Sequence, residues 1–454
     1  MKNRLGKTGV TMLVLPVLFA CAGTSDEVVS PQPAVASVIV SPLPAQMVAG
    51  DVAQLTATAW DARHTPVTAR PIVWTSSDSL VASVSATGRV TVVGHGTVAI
   101  TASVDGKVAA VTTSAVLTRK ERRLAYTVVA HDAPASGPSL PNASENATGG
   151  GISVAHPTLG DYSVVFDRLA RADSSWRETV MLSMRSGGMA THCHVNDWWT
   201  AANRRDLEVS VSCYGVDNRK TAGSFALLVI GGGSLEGRHS FIYNADSSQS
   251  NTPSASAVFN SSGHAIAISR AASGSYRVDV NNPRALVPEN YFITTFGNPA
   301  ATCVLGSWSY GNSAGASCVG PDATADRRFA MQLIEGGRPG RKYGFAWASV
   351  PNPPLGSEYV PSLTYQRMSN GRQVAVARDG VANGSYSVRF PGFGTLLGER
   401  HTIQVSPYAS GRVSCAVSGE NAVNDGADLT VHVFCYDRYS GVPTNAHFTI
   451  LALE

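Results

Sequence analysis

The sequence predicts an all-β chain of tandem β-sandwiches. Three observations carry that expectation. Short runs of alternating apolar and polar residues recur throughout, separated by Gly, Pro, Ser, Asn and Asp, as strands joined by turns require. One unit of about 110 residues occurs three times in the C-terminal part. Six cysteines fall into three local groups, one in each copy of that unit. The 454 residues have room for several cores. Charged residues are only 15% of the chain and the formal net charge is +3. That balance gives no electrostatic footprint for nucleic acid.

Residues 35–117 predict the first sandwich. Val38-Ile39-Val40 opens it. Gln54, Thr56, Thr58 and Trp60 alternate with Leu55, Ala57 and Ala59. Ile72 to Asp78 is a strand running into a turn, Val81 to Val84 another, and Gly88 turns the chain into Val90 to Val93. Gly94-His95-Gly96 then leads into Val98 to Ala102. The run from Gly50 through Leu55 to Asp61, Val73-Trp74-Thr75-Ser76-Ser77-Asp78, Val81-Ala82-Ser83-Val84, Gly88 and Gly96 to Ala102 resembles the bacterial Ig-like group 2 domain. That resemblance implies a spacer or adhesion module of surface proteins, with Trp74 in its core. Thr118 to Arg123 reads as a solvated basic joint.

Three copies follow, over 124–230, 239–335 and 342–454. Gly160-Asp161-Tyr162-Ser163-Val164-Val165-Phe166 matches Gly274-Ser275-Tyr276-Arg277-Val278-Asp279-Val280 and Gly384-Ser385-Tyr386-Ser387-Val388-Arg389-Phe390. Each match is a glycine turn feeding a strand. Each unit closes on an apolar strand, Phe225 to Leu228, Phe329 to Leu333 and Phe448 to Leu451. Gly231-Gly232-Gly233-Ser234 and Gly336-Gly337-Arg338-Pro339-Gly340 read as linkers. The period is long enough for each copy to hold its own core. The copies resemble an uncharacterised β-repeat of secreted bacterial proteins, with a Gly-x-Tyr-x-Val strand, a Cys-x4-Trp step and a late Val-x-Cys-aromatic strand. Trp198 and Trp308 fit the step, and Glu420 departs from it. The resemblance implies architecture and no activity.

Many pairings are open to six cysteines on sequence alone. The repeat selects the local ones: Cys193 with Cys213, Cys303 with Cys318, and Cys415 with Cys435. None is a Cys-x-x-Cys pair, so neither a zinc ribbon nor a thioredoxin-like redox site is indicated. Closing such loops is expected to stabilise each copy by roughly 3 kcal/mol.

The seventh cysteine is Cys21. Lys2, Arg4 and Lys7 precede an apolar run, Val10 to Ala20, that is too short to span a bilayer. It ends in Leu18-Phe19-Ala20-Cys21, which resembles the lipobox of bacterial lipoproteins. The resemblance implies a signal peptide over 1–20, acylation of Cys21, and a membrane held through that lipid anchor. Ala22 after the cysteine resembles the outer-membrane sorting class. Residues 21–34 lack periodicity and read as a tether.

Few residues suggest chemistry. His192 and His194 flank Cys193 on one face of a strand, opposite the cysteine. With Asp197 they have metal-ligand character, but the other copies carry Thr302 and Val304, and Ser414 and Ala416, in their places. The expectation is two outward-facing polar residues, with no metal and no cofactor. Trp199 has no counterpart in the other copies and is the candidate ligand contact, an apolar platform of the sort sugar rings stack on. There is no Gly-x-Ser-x-Gly elbow, His-Glu-x-x-His or P-loop. The expected function is therefore non-catalytic: a surface-anchored binding, adhesion or structural lipoprotein meeting glycans, cell-wall polymer or surface proteins. The alternative is a polysaccharide-processing hydrolase with its site in or between the copies.

Overall fold

The computed structural model describes residues 33–48, 51–79, 81–92, 96–116, 123–130, 136–138, 144–170, 178–185, 191–203, 205–245, 258–281, 288–297, 302–309, 312–338, 340–380, 383–408 and 411–454. Cys21, its leader and most of the tether lie outside them. Among the described residues the regular structure is strand, with two short 3-10 turns, Leu363–Tyr365 and Gly394–Gly398. Three disulfides clip it. The chain is a set of tandem β-sandwiches.

In the first sandwich, strands Ser37–Val40, Ala57–Trp60 and Pro66–Val67 make one sheet. Strands Gln46–Val48, Lys107–Val116, Gly96–Val104 and Val73–Ser76 make another. Trp74 packs against both apolar clusters of this domain, one built on Leu55, Val90 and Ile100, the other on Val38, Ala59 and Val104. Gly88 has φ +80°, and a Cβ there would lie 2.7 Å from the Leu55 carbonyl oxygen and 3.0 Å from the Trp74 ring. The turn therefore needs glycine.

Each repeat is itself two layers. One layer holds an opening strand (Leu124–Val129, His239–Asn244, Tyr343–Ala348), a central strand (Glu178–Arg185, Asn290–Phe296, Thr402–Tyr408) and a closing strand (Ser224–Gly231, Arg328–Ile334, His447–Leu453). The other holds the Gly-Tyr strand (Asp161–Phe166, Ser275–Asp279, Ser385–Phe390) and two cysteine strands (His192–Thr200 and Leu207–Tyr214; Thr302–Ser309 and Ser313–Val319; Val413–Val423 and Asp428–Asp437). The paired cysteines sit directly opposite each other in antiparallel register. Tyr162, Val164, Phe166, Val209, Val211, Phe225 and Val229 fill the space between the layers of repeat 1. Corresponding residues do so in repeats 2 and 3.

The layers do not stay within their repeats. The first cysteine strand of repeat 1 runs parallel to the central strand of repeat 2, Val195 beside Phe296. That of repeat 2 meets repeat 3, Leu305 beside Tyr408. That of repeat 3 returns to repeat 1, Ala416 beside Met184 and Val417 beside Arg185. The result is three long sheets of eight, nine and eight strands, each built from two repeats, closing in a ring. Each repeat has its own core, but the repeats also share sheets. They also share a second apolar core, where Tyr126, Met181 and Leu228 meet Phe292 and Ile334, and Phe345, Leu451 and Leu453.

The three-fold relation is detailed. In each repeat a bulge interrupts the cysteine strands just after the disulfide, between Val195 and Asp197, Leu305 and Ser307, and Val417 and Gly419. An inserted residue bends its strand, and here the residue before the bulge is the one that bridges to the next repeat. On the axis, hydroxyls tie neighbouring central strands. Ser183 accepts from the Val405 N–H at 2.6 Å and donates to its carbonyl at 3.0 Å. Ser406 does the same for Ile293, at 3.2 Å each way. Thr294 accepts from the Leu182 N–H at 3.2 Å.

Two readings of the joints are corrected as well. The glycine-rich segments are packed corners: a Cβ on Gly232 would lie 2.4 Å from the Phe259 ring, and one on Gly337 would lie 2.4 Å from Tyr343. Ser234 and Leu235 are buried. The described end of the basic joint, Arg123, is docked: its guanidinium meets the buried Glu178 at 2.6 Å, and its N–H donates to Ser234 at 3.0 Å. Arg238 opens repeat 2 in the same way, fully buried against Glu335 at 2.8 Å and Glu289 at 3.4 Å. Lys342 opens repeat 3 against Glu399 at 2.9 Å. The sequence shows these bases as isolated charges, because their acids lie far along the chain.

The glycine that opens each Gly-Tyr strand tests the ring. Gly160, Gly274 and Gly384 have φ of +77°, +69° and +75°, and each carbonyl accepts from the N–H of the second cysteine at 2.7 Å. A Cβ at Gly384 would lie 2.1 Å from the Cys435 carbonyl oxygen. Gly384→Ala is expected to cost about 2–4 kcal/mol, from the left-handed backbone and the clash together, measured by urea denaturation. Hydrogen exchange should then accelerate in the central strands of all three repeats. Acceleration confined to repeat 3 would mean that the repeats unfold separately.

Candidate functional site

The outer face of each cysteine layer is the surface that the alternation of its strands turns outward. In repeat 1 it is a lattice of short polar side chains. Asn196, the bulge residue, donates to Ser210 at 3.0 Å and Ser212 at 2.8 Å. Ser212 donates to Asp161 at 2.6 Å, and Ser163 to Glu208 at 2.7 Å. Trp199 stands on this face, exposed, opposite Glu208. Its neighbour Trp198 faces the other way, 1% exposed, and packs on Tyr243 and Phe296 of repeat 2.

Repeat 2 has a shallow trough on the equivalent face, of about 440 Å³. Ser275, Arg277, Ser307, Ser309 and Ser317 line it. The trough exists because Gly306 and Gly315 stand where repeat 1 has Asn196 and Ser210. In repeat 3 the face carries His432, whose Nδ1 lies 3.0 Å from Asp379 and whose Nε2 lies 2.7 Å from Asn421.

The three junctions between repeats differ in chemistry. The first is aromatic, built on Trp198, Tyr243 and Phe296. The second is a half-buried cluster of Trp308, Trp347, Tyr365, Tyr408 and His447. The third is ionic, because Glu420 replaces the tryptophan. Its carboxylate pairs with Arg185 of repeat 1 and lies 2.6 Å from His401 Nε2. Burial works against the charge on Glu420, but His401 and Arg185 outweigh it and hold the carboxyl down to about 2. Burial likewise opposes charge on His401, yet Glu420 raises its imidazole above the ordinary value. The departure at Glu420 was visible in the sequence; its partners were not.

The histidine pair is less exposed than expected. His192 and His194 lie on the strand face opposite Cys193, but are only 3% and 2% exposed. The cysteine strands are covered on that side by Tyr214 and by repeat 3, which the sequence of repeat 1 cannot show. The rings lie 5.5 Å apart, and His192 stacks on Tyr214 at 5.8 Å. Arg438 of repeat 3 reaches His194 Nε2 at 3.2 Å. Asp197 is beyond the bulge, half exposed, with Arg328 of repeat 2 at 3.8 Å. The three do not assemble, and no group of three metal-ligating side chains occurs among the described residues. Burial, then the Arg438 charge, pushes His192 down to about 2. Burial pushes His194 far below the ordinary histidine value too, aided by Arg438. Both rings are neutral.

Residues 70–106 match the family model of the intimin immunoglobulin-like domain. The first sandwich is thus Ig-like, and the match includes Trp74 and the Gly88 turn. No curated protein matches the chain. Among solved structures, that of surface layer protein SbsC, domains 1-6, is 10% identical, with a TM-score of 0.15. The alignment covers 88% of this chain and 49% of that one, so the chain spans about half its length.

These buried groups set a pH dependence. His192 and His194 bind protons in the unfolded chain below about pH 6.5 but not in the fold, so their contribution is lost as pH falls below that value. Replacing them with the repeat 2 residues, His192→Thr with His194→Val, is expected to flatten the fall in melting temperature between pH 6.5 and 4. The opposite sign holds for His401, whose raised value makes its contribution complete below about pH 6.5 and lost as pH rises through the folded value. Glu420 contributes above its ordinary value and loses that as pH falls toward about 2. Glu420→Gln should therefore cost about 3 kcal/mol or more at pH 6, and less at pH 9, by denaturant titration at each pH.

Proposed function

We propose that the chain is an exported lipoprotein, anchored at the cell surface through Cys21, whose three-repeat ring is a non-catalytic head that binds glycan or cell-wall polymer. The observation that carries this reading is the set of outer faces. They are flat or shallow, lined by hydroxyl, amide and carboxylate groups, with Trp199 exposed on one of them. Polyhydroxylated ligands meet such surfaces through ring stacking and shared hydrogen bonds. Three disulfides and an Ig-like domain fit an oxidising, exported setting. Three faces on one rigid ring would raise weak contacts into useful avidity on a repeating polymer.

The test is binding of the soluble chain from residue 22 onward to a glycan array and to purified wall polymer. Binding is expected to fall about tenfold with Trp199→Ala while the melting temperature stays within 1–2 °C, since surface changes seldom move stability far. Absence of binding to every glycan and wall fraction would remove the adhesion reading. Anchoring is tested separately: Cys21→Ala should move the protein from the membrane fraction to the soluble one, and a variant that stays with membranes would end the lipoprotein assignment.

A further inference from the structure

The three junctions hold equivalent positions with different occupants. On the opening strands, Tyr243 pairs with Ala330 and Trp347 with Thr449, each just past the phenylalanine that starts the closing apolar run. Val128, opposite Ala226, holds that position in repeat 1. On the central strands, Phe296 lies opposite Arg328 and Tyr408 opposite His447, each just before that phenylalanine. Arg185, opposite Ser224, is their equivalent. On the cysteine strands, Trp198 and Trp308 follow Cys193 and Cys303 at the spacing by which Glu420 follows Cys415.

At the first junction the rings of Trp198, Tyr243 and Phe296 meet with centroids 4.7 to 5.0 Å apart. At the second, Trp308, Trp347 and Tyr408 meet at 5.0 to 5.1 Å. The third has none of these rings: Val128, Arg185 and Glu420 take their places. The ionic set does not fill the space so released. A pocket of about 190 Å³ remains there. Val128, Val129, Ala130 and Val417 give it apolar walls, and Arg185 flanks it. Gly419 lines it where repeats 1 and 2 have Asp197 and Ser307, so no side chain enters from that strand position. Val128, Ala130 and Gly419 are only half-buried, which leaves the pocket open to solvent.

The volume suits one aromatic ring, since an apolar cavity of about 150 Å³ holds benzene. The charges call for an uncharged ligand. Arg185 already pairs with Glu420, which also meets His401 at 2.6 Å. A ligand carboxylate would be repelled by Glu420, and a ligand ammonium by Arg185. A neutral ring gains burial against the valines, and its face attracts the guanidinium.

We propose that the closing junction is a binding site for one small uncharged single-ring aromatic molecule of the phenol class, seated where the other two junctions carry rings of their own. The site is continuous with the interface between repeats 1 and 3, so its occupant joins the two repeats where the three-repeat ring closes. It does not rest on the glycan reading.

The experiment titrates the soluble chain from residue 22 onward, labelled in its valine methyl groups, with p-cresol, the side chain of tyrosine. A parallel titration uses 4-methylcyclohexanol, its saturated counterpart. The expected result is saturable movement of the Val128 and Val417 methyl signals with p-cresol, and a melting temperature that rises with the same midpoint. The saturated compound should bind roughly threefold or more weakly, because it has no ring face for Arg185. Val128→Tyr, which installs the residue of the first junction, should weaken p-cresol binding about tenfold or more, followed at Val417, by filling the pocket. If that variant does not fold, Ala130→Leu, which crowds the same pocket, decides in its place. Methyl signals that stay put, shifts linear in concentration, equal midpoints for the two compounds, or an unchanged midpoint in the folded variant would each overturn the proposal. A crystal soaked with 4-bromophenol supplies an independent check: bromine beside Val128 supports the site, and bromine seated only elsewhere sinks it.

Discussion

Closure at the axis is the constraint on which the rest of the repeat region depends. Ser183, Thr294 and Ser406 each tie their own central strand to that of a neighbouring repeat, and the ties run in one rotational sense around the ring. A hydroxyl inserted between two strand backbones satisfies groups that no ladder reaches, and burial makes each such bond costly to leave unmade. Three ties can close only if each repeat turns by the same amount. The bulges supply that turn. Each bends the first cysteine strand, whose ladder with the second continues beyond it, where it meets the next repeat's central strand, and each bulge residue sits three residues past a disulfide that fixes the strand pair. The disulfide, the bulge and the tie act as one hinge used three times.

Given closure, departures from the repeat become informative. A repeat protein can vary its outer loops freely, but an axial or junction residue meets its counterparts in the other copies. The junctions keep one geometry and change chemistry: two are filled by aromatic rings, the third by Arg185, His401 and Glu420. A buried ion pair is seldom more stable than a packed apolar cluster of the same size. What it supplies is discrimination. Arg185 and Glu420 belong to the first and last repeats, the two that are not consecutive in sequence. An aromatic junction would accept any aromatic partner, whereas a buried carboxylate accepts only a repeat carrying the matching cation. This chemistry sits at the closing junction, where specifying the partner matters most.

The sequence was legible wherever the information was local. Alternation placed the Gly-Tyr and cysteine strands, and the shared spacing of Cys193–Cys213 and Cys415–Cys435 selected the bridges that the structure contains. Trp74 reads as core and packs against both clusters of the first sandwich. What failed was long-range. A strand's alternation shows that it has two faces, but not which repeat covers either one. His192 and His194 read as outward because the cover on their face, Arg438 and Tyr436, comes from more than 240 residues away. Glycine runs read as linkers because tight packing and flexibility both call for glycine. Arg123 read as solvated because its acid, Glu178, opens a different strand. Its recurrence as Arg238 before the next opening strand is the signal the sequence offers.

The same closure governs how the sheets end. An open β-sheet invites pairing with another chain at its free edges. Here the three long sheets terminate in Ser144–Asn146 and Ala375–Arg378, in Ser136–Pro138 and Val258–Asn260, and in Ala267–Ala272 and Gln366–Met368. Among the described residues, five of these six edges are three or four residues long, and the sixth is interrupted by a bulge between Arg270 and Ala272. The longer central and cysteine strands lie between neighbours in the sheet order, joined from repeat to repeat through one or two residue pairs each. Joining two repeats in every sheet thus does more than add contacts. It sets each repeat's central strand beside a neighbouring repeat and leaves, among the described residues, mostly short strands at the ends of the sheets.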